Sequence, residues 1–460
     1  MKIVHPLKFL SNKIADFSNF RTLFLKNRVA RNSILNIMGF AVPTLMTLIF
    51  TPSLVHRMGT EDYGIWNVAI SALGLMGVFE FGLGTALAKY VAEYTANNNS
   101  YGLSAAVSMG FVFNVFIGIL MMLPLYFFSP QIARLFPDVT ASSSIQLSDA
   151  IRWSSFGFIP LLLKNSGLAI PSGLQRYEIP VMVKVLQNTF TLLSAFMIVF
   201  LGGGVVEVVL STVVLMWLSG FLSLLIALRM LKGFNTRIVF SREYAKKIFS
   251  FMIFTGTTGI GIAMFSSLDR ITVGAILGLS AVTYYTVSIG IANKLTALSS
   301  AFTQALMPAA SSWQATGNNQ KLKNYLWRST VLTGLLNIVL GGGLILIAEP
   351  FMRIWMGNEF AEHVIVPFRI LILVYALMSV SAPSFHIANG MGFPWINAVG
   401  TILQGVGIVG LIVLLGPRYG LTGAAWANAS SWIKFISLVY IAIVLNRSGK
   451  KIEVGDALRI

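Results

Sequence analysis

Residues 103–127 read LSAAVSMGFVFNVFIGILMMLPLYF, a run with no Asp, Glu, Lys or Arg in it. As a helix it would rise about 37 Å, enough to cross the ~30 Å hydrocarbon core of a bilayer. Runs of the same kind recur on both sides. They read as spans at 32–55, 65–94, 103–127, 148–170, 180–201 and 207–231, then at 248–277, 281–307, 328–348, 366–389, 395–415 and 422–445. Breakers separate them, among them Gly59 with Gly64, Asn97 to Asn99, Pro130 to Pro137, Gly278, Gly317 to Asn319 and Gly390 to Pro394. The composition agrees: 56% of residues are hydrophobic, 11% are charged and the mean hydropathy is +0.77. A soluble domain carries about 25% charged residues. The period-two alternation of a membrane β-barrel is absent. The fold class is all-α, a polytopic membrane protein of about twelve transmembrane helices.

The net charge of +17 is read by position rather than total, and it does not indicate a nucleic-acid partner. With both termini in the cytoplasm, inside segments hold 21 Lys and Arg and outside segments hold six. That asymmetry orients the chain by the positive-inside rule, as a multi-pass protein among membrane lipids. Residues 1–31 form a basic cytoplasmic segment in which no cleavage site follows a short apolar core. Its Leu7, Leu10, Ile14, Phe17 and Phe24 have the spacing of an interfacial helix.

The two halves repeat. A shift of 219 residues lays Gly59 on Gly278, Leu103 on Leu322, Arg134 on Arg353 and Trp66 on Tyr285. Further on, a shift of 217 lays Val185-Leu186-Gln187 on Ile402-Leu403-Gln404. Six spans followed by six more give a parallel repeat about an axis along the membrane normal. The domain reading is an N-lobe at 32–231, a cytoplasmic linker at 232–247, a C-lobe at 248–445 and a cytoplasmic tail at 446–460.

Six charges fall at mid-depth: Glu80, Lys164, Asp269, Arg270, Lys294 and Lys434. Each would cost about 2.5–3.5 kcal/mol in lipid, so each needs a partner or a wet cavity. Four are cations and two are anions, and that surplus points to an anionic ligand. Asp269 and Arg270 are adjacent, point about 100° apart and therefore need different partners. Glu80 sits in Phe79-Glu80-Phe81-Gly82-Leu83-Gly84, where glycines permit flexing and close approach. Lys184 reads as a snorkelling anchor, His386 as a hydrogen-bonded interior histidine, and Pro43, Pro160 and Pro308 as kinks within spans.

There is no cysteine and hence no disulfide or thiolate site. No Walker A, HExxH or clustered His/Asp pattern offers an ATP site, a metal site or an enzyme's reaction centre, and no cofactor is implied.

Thr51-Pro52-Ser53-Leu54-Val55-His56-Arg57-Met58-Gly59-Thr60-Glu61-Asp62-Tyr63-Gly64, followed by Phe79-Glu80-Phe81-Gly82-Leu83, resembles the opening of bacterial polysaccharide and O-antigen flippases. These belong to the multidrug/oligosaccharidyl-lipid/polysaccharide superfamily. Ser267-Leu268-Asp269-Arg270 with Tyr284-Tyr285 is similar to that family's seventh and eighth helices. The resemblance implies two six-helix lobes around a V-shaped cavity lined by helices 1, 2, 7 and 8. It implies an undecaprenyl-diphosphate-linked oligosaccharide moved from the cytoplasmic to the periplasmic leaflet, coupling to a proton or sodium gradient, and a polysaccharide polymerase and other pathway proteins as partners. Carried over, the cavity charges are Glu80, Asp269, Arg270 and Lys294. With the mid-depth cations they give an expected site in which Lys294, Arg270 and Lys164 bind substrate and Glu80 and Asp269 couple or gate. The alternative within the superfamily is a drug/cation antiporter, which would carry an acidic cavity without surplus lysine.

Overall fold

The computed structural model describes residues 28–76, 82–136, 140–234, 237–244, 246–247 and 264–447. The expected interfacial helix before residue 28, the tail after residue 447 and Glu80 lie outside the described residues. No β-strand occurs among those described. The first half contains α1 (Arg28–Met58), α2 (Thr60–Met76), α3 (Leu83–Ala96), α4 (Ser100–Phe127), α5 (Ser129–Ala133), α6 (Ala141–Ser155), α7 (Phe158–Gly173), α8 (Glu178–Phe200) and α9 (Val205–Leu231). The second half opens on a π-turn, Met264–Leu268, that runs into α10 (Asp269–Leu277). It continues with α11 (Leu279–Thr303), α12 (Leu306–Ala315), α13 (Asn319–Leu346), α14 (Ala348–Met356), α15 (Asn358–Ser379), α16 (Ala382–Gly390) and α17 (Pro394–Ala427). A 3₁₀ stretch, Asn428–Lys434, then leads into α18 (Phe435–Arg447). Within α17 two helices meet at Gly420, where φ is 57° and ψ is −140°.

Seven stretches among the described residues are long and apolar enough to cross a membrane. Six match expected spans 1, 3, 5, 6, 9 and 10; the seventh, Pro394–Asn446, carries spans 11 and 12 together. Expected spans 2 and 7 lie partly outside the described residues, span 4 falls on α6 and α7, each too short to cross alone, and span 8 falls on α11, a 25-residue helix that carries Lys294. A helix shielded from lipid by its neighbours can carry polar groups that a peripheral helix cannot.

The repeat is written into the backbone. α4 and α13 both run for 28 residues and begin and end 219 positions apart. Asn99 caps the first by accepting from the Gly102 amide at 2.8 Å, and Asn318 caps the second by accepting from the Lys321 amide at 3.1 Å. Gly59 and Gly278 join α1 to α2 and α10 to α11, with φ values of 86° and 87°. A side chain is disfavoured at such φ, so glycine lets the chain reverse in a single residue.

The packing repeats too. In the first half α1 lies on α8, α7 on α9, α2 on α6 and α4 on α7. In the second half α10 lies on α17, α15 on the 3₁₀ stretch, α11 on α15 and α13 on α15. Each half is thus a bundle of the same design.

The proline expectations resolve individually. Pro43 sits in an uninterrupted α1. Pro160 and Pro308 each fall in the first turn of a helix that follows a break, where the missing amide hydrogen has no helical acceptor to lose.

Candidate substrate cavity

Two adjacent short-contact zones tie the halves together at the end of the bundle that carries Gly59. Thr60 Oγ1 donates to Ser280 Oγ at 3.1 Å, and Thr283 Oγ1 donates to the Thr60 carbonyl at 2.6 Å. Gly64 lies so close to the Leu279 carbonyl that a Cβ there would overlap it, and one at Gly74 would overlap Ser267 Oγ. Trp355 Nε1 donates to the Leu48 carbonyl at 2.7 Å. α2 makes this contact with the π-turn, α10 and α11, whereas α3 packs on α4 and α7 inside its own half. Interlobe packing among the described residues therefore runs along α2, from the Gly59 turn to Gly74.

Toward the opposite end the interior is cationic. Lys294, on α11, holds its ammonium 5.9 Å from the ring centroid of Phe40 on α1, in the other half. Lys294 makes no ion pair among the described residues. Lys184, expected as an anchor, is an exposed residue of α8, the helix that packs on α1.

Lys164 takes a different position. Its ammonium donates to Gln187 Oε1 at 2.9 Å, joining α7 to α8 within one half. Beside it Asn114 Nδ2 donates to the Leu162 carbonyl at 3.1 Å and to Ser166 Oγ, so this polar seam holds α4 against α7.

Asp269 and Arg270 diverge as their adjacency requires. The Asp269 side chain is fully buried. Its Oδ2 accepts from the Tyr285 phenol at 3.2 Å and its Oδ1 from the Arg270 amide at 2.7 Å. The phenol in turn accepts from Asn428 Nδ2 at 2.9 Å, and Asn428 Oδ1 accepts from Tyr375 at 3.3 Å. The carboxylate thus begins a buried chain through α10, α11, α15 and the 3₁₀ stretch. Arg270 instead donates from Nη1 to the Ser266 carbonyl at 2.8 Å, and its buried Nε makes no hydrogen bond among the described residues. The π-turn immediately before them exposes that carbonyl; such turns inside helices often mark functional positions.

Lys434 lines a separate recess of about 180 Å³ with Thr296, Ser300, Ser379, Phe385 and His386. His386 shares a hydrogen bond of 3.1 Å with Ser300, as an interior histidine should. Tyr375 and Asn428 carry no charge and lie in apolar runs, so the sequence does not single them out; Tyr285 stands out there as the repeat partner of Trp66 and in the Tyr284-Tyr285 pair of the family resemblance.

A lone ammonium such as that of Lys294 can hold an anion, and a buried carboxylate such as that of Asp269 can take up and release a proton. Comparisons with known proteins bear on which of these it serves. The membrane protein EpsK of Bacillus subtilis is 24% identical over 409 residues, covering 86% of this chain and 79% of its own. A Shigella flexneri protein named as an O-antigen transporter is 22% identical over 403 residues, covering 86% of this chain and 93% of its own. An inward-facing multidrug transporter of the MATE family, itself of the MOP superfamily, superposes with a TM-score of 0.69 at 16% identity, over 90% of this chain and 100% of that one, which shows the fold. The profile of the family described as polysaccharide biosynthesis protein matches residues 56–365. The chain is a multi-pass membrane protein and belongs to the polysaccharide biosynthesis protein family.

Proposed function

We propose that this protein is a flippase that carries an undecaprenyl-diphosphate-linked oligosaccharide from the cytoplasmic to the periplasmic leaflet of a bacterial inner membrane. The observation that carries the reading is the placement of Lys294, a mid-depth cation on α11 whose ammonium lies 5.9 Å from the Phe40 ring of the other half and makes no ion pair among the described residues. Such a charge is costly in lipid, and a diphosphate placed against it removes that penalty. The glycan would occupy the wet cleft, and the polyprenyl chain would stay in the bilayer.

The cations also form a vertical series. Arg270 lies eight residues before the Gly278 turn and Lys294 sixteen after it, so they stand about 12 and 24 Å below that turn. With the positive-inside orientation, the Gly59 and Gly278 turns face the periplasm. The lobes are then closed outside, and Lys294 is the first cation that a headgroup meets from the cytoplasm. Passage from Lys294 toward Arg270 accompanies rocking of the lobes, and Lys164 supports the α7–α8 wall. Protonation of Asp269, with Glu80 as a second carboxylate, supplies coupling in this scheme. The polysaccharide polymerase would receive the product.

The test is transport of a lipid-linked oligosaccharide in reconstituted vesicles, alongside efflux of an organic cation. Glycolipid movement that requires Lys294, without cation efflux, supports the proposal. Cation efflux that survives Lys294→Ala, without glycolipid movement, would establish the antiporter instead.

A further inference from the structure

The segment that follows α9 does not hang free. The Arg237 amide donates to Ser104 Oγ at 3.1 Å and the Val239 amide to Ser108 Oγ at 3.2 Å. Both serines belong to α4, one turn apart. Two residues of extended chain advance about 6.6 Å and four residues of helix about 6 Å, so the two ladders are in step. Amides at alternate residues facing one way mean that Ile238 and Phe240 share a face of the strap. Both are strongly exposed, at 83% and 64%.

The surroundings say what covers them. Further along α4, Val112, Phe116, Ile119 and Leu123 are exposed apolar side chains on one sector of the helix. Ser108 lies one turn before Val112, at the edge of that sector. The strap therefore lies beside the lipid-facing stripe and continues it toward the end that the Lys and Arg distribution assigns to the cytoplasm. Cations flank the apolar pair: Arg237 on one side, Arg242 and Lys246 on the other, all exposed. Beyond them the strap is fastened again. Tyr244 packs edge-on against Tyr94 and Tyr101, with centroids 5.6 and 5.9 Å apart. Lys247 reaches Glu93 Oε1 and the Tyr94 hydroxyl, both at 3.4 Å, while its carbonyl accepts from Tyr90 at 3.2 Å. Those partners, the Tyr94 hydroxyl foremost, hold the Lys247 ammonium above the usual lysine range, so it stays charged at neutral pH.

We infer that residues 237–244 are a membrane-interface strap, docked on Ser104 and Ser108, that inserts Ile238 and Phe240 among the acyl chains of the inner leaflet with its cations against anionic lipid headgroups. The connection between lobes is thereby anchored to the N-lobe as far as Lys247.

The chain has no cysteine, which makes the test direct. Ile238→Cys, Phe240→Cys and Arg242→Cys are each spin-labelled in the full-length protein, reconstituted into phosphatidylethanolamine/phosphatidylglycerol vesicles. Relaxation by oxygen and by a water-soluble nickel chelate then reports depth. Labels at 238 and 240 should lie about 5–10 Å below the phosphates, the depth of interfacial apolar groups, and the label at 242 should lie in water. Adding Ser104→Ala with Ser108→Ala should raise the first two toward water. Equal chelate access at all three sites would overturn the proposal, as would shielding at 238 and 240 that appears in native membranes but not in lipid-only vesicles, since that would indicate a protein partner. Labels that stay deep in the double alanine variant would overturn the docking on α4.

Discussion

The Tyr285 phenol donates to Asp269 Oδ2 across 3.2 Å while accepting from Asn428 Nδ2 at 2.9 Å, so one hydroxyl joins a buried carboxylate to the last span of the chain. Tyr285→Phe removes the donor to Asp269 and the acceptor for Asn428 together. Unsatisfied buried groups cost about 1–3 kcal/mol each, so the purified protein should lose that order of stability. Thermal unfolding in detergent measures it; an unchanged midpoint would mean that the chain is not maintained in solution.

Asp269→Asn keeps the size of the side chain and removes its charge. The variant should fold and bind substrate but lose dependence on the ion gradient. Flux measured with and without an imposed gradient is the readout. If Asp269→Asn and Glu80→Gln both respond to the gradient as the parent does, neither carboxylate couples transport.

At the cationic site, Lys294→Ala should lower glycolipid transport by about tenfold or more, the scale of one lost charge-assisted contact. Lys294→Arg should restore much of it and Lys294→Glu none. Stability should change little or rise, because Lys294→Ala removes a mid-depth charge that makes no ion pair among the described residues. Wild-type transport by Lys294→Glu would remove the basis of the anion-binding proposal.

The Gly59 end can be locked. Thr60 Oγ1 and Ser280 Oγ are 3.1 Å apart, which brings the two Cβ atoms near disulfide range. Thr60→Cys with Ser280→Cys should crosslink on mild oxidation, stop transport and recover with reductant. Full transport in the oxidised pair would show that this seam does not open. In the same seam Gly64→Ala puts a methyl against the Leu279 carbonyl and should weaken closure.

The repeat makes a quantitative prediction about caps. Asn99→Ala and Asn318→Ala each remove one side-chain acceptor at equivalent helix starts. Each should cost roughly 0.5–2 kcal/mol, and the two losses should add, as distant sites do. Unequal or non-additive losses, measured by thermal unfolding, would mean that the caps differ despite their matching geometry.

Much of the fold was legible because its signal is local. Gly59 and Gly278, Asn99 and Asn318, and the apolar run 103–127 announce turns, caps and a span through their own chemistry, whatever surrounds them. The candidate site was legible only as a roster. Reading placed Lys164, Asp269, Arg270, Lys294 and Lys434 at depth, and the divergence of Asp269 from Arg270 followed from adjacency. It passed over Tyr375 and Asn428.

The sequence by itself determined the all-α membrane class and the register of the repeat, since burial in lipid is a requirement on each segment separately. Only the tertiary structure decided partners: Gln187 for Lys164, Tyr285 for Asp269, Phe40 for Lys294, and Ser104 with Ser108 for the strap. The reason is geometric. Each residue turns a helix by about 100°, so an uncertainty of two residues in a boundary leaves open the direction in which a side chain faces. That direction is set by ridges packing against neighbouring helices, most of them distant in the chain.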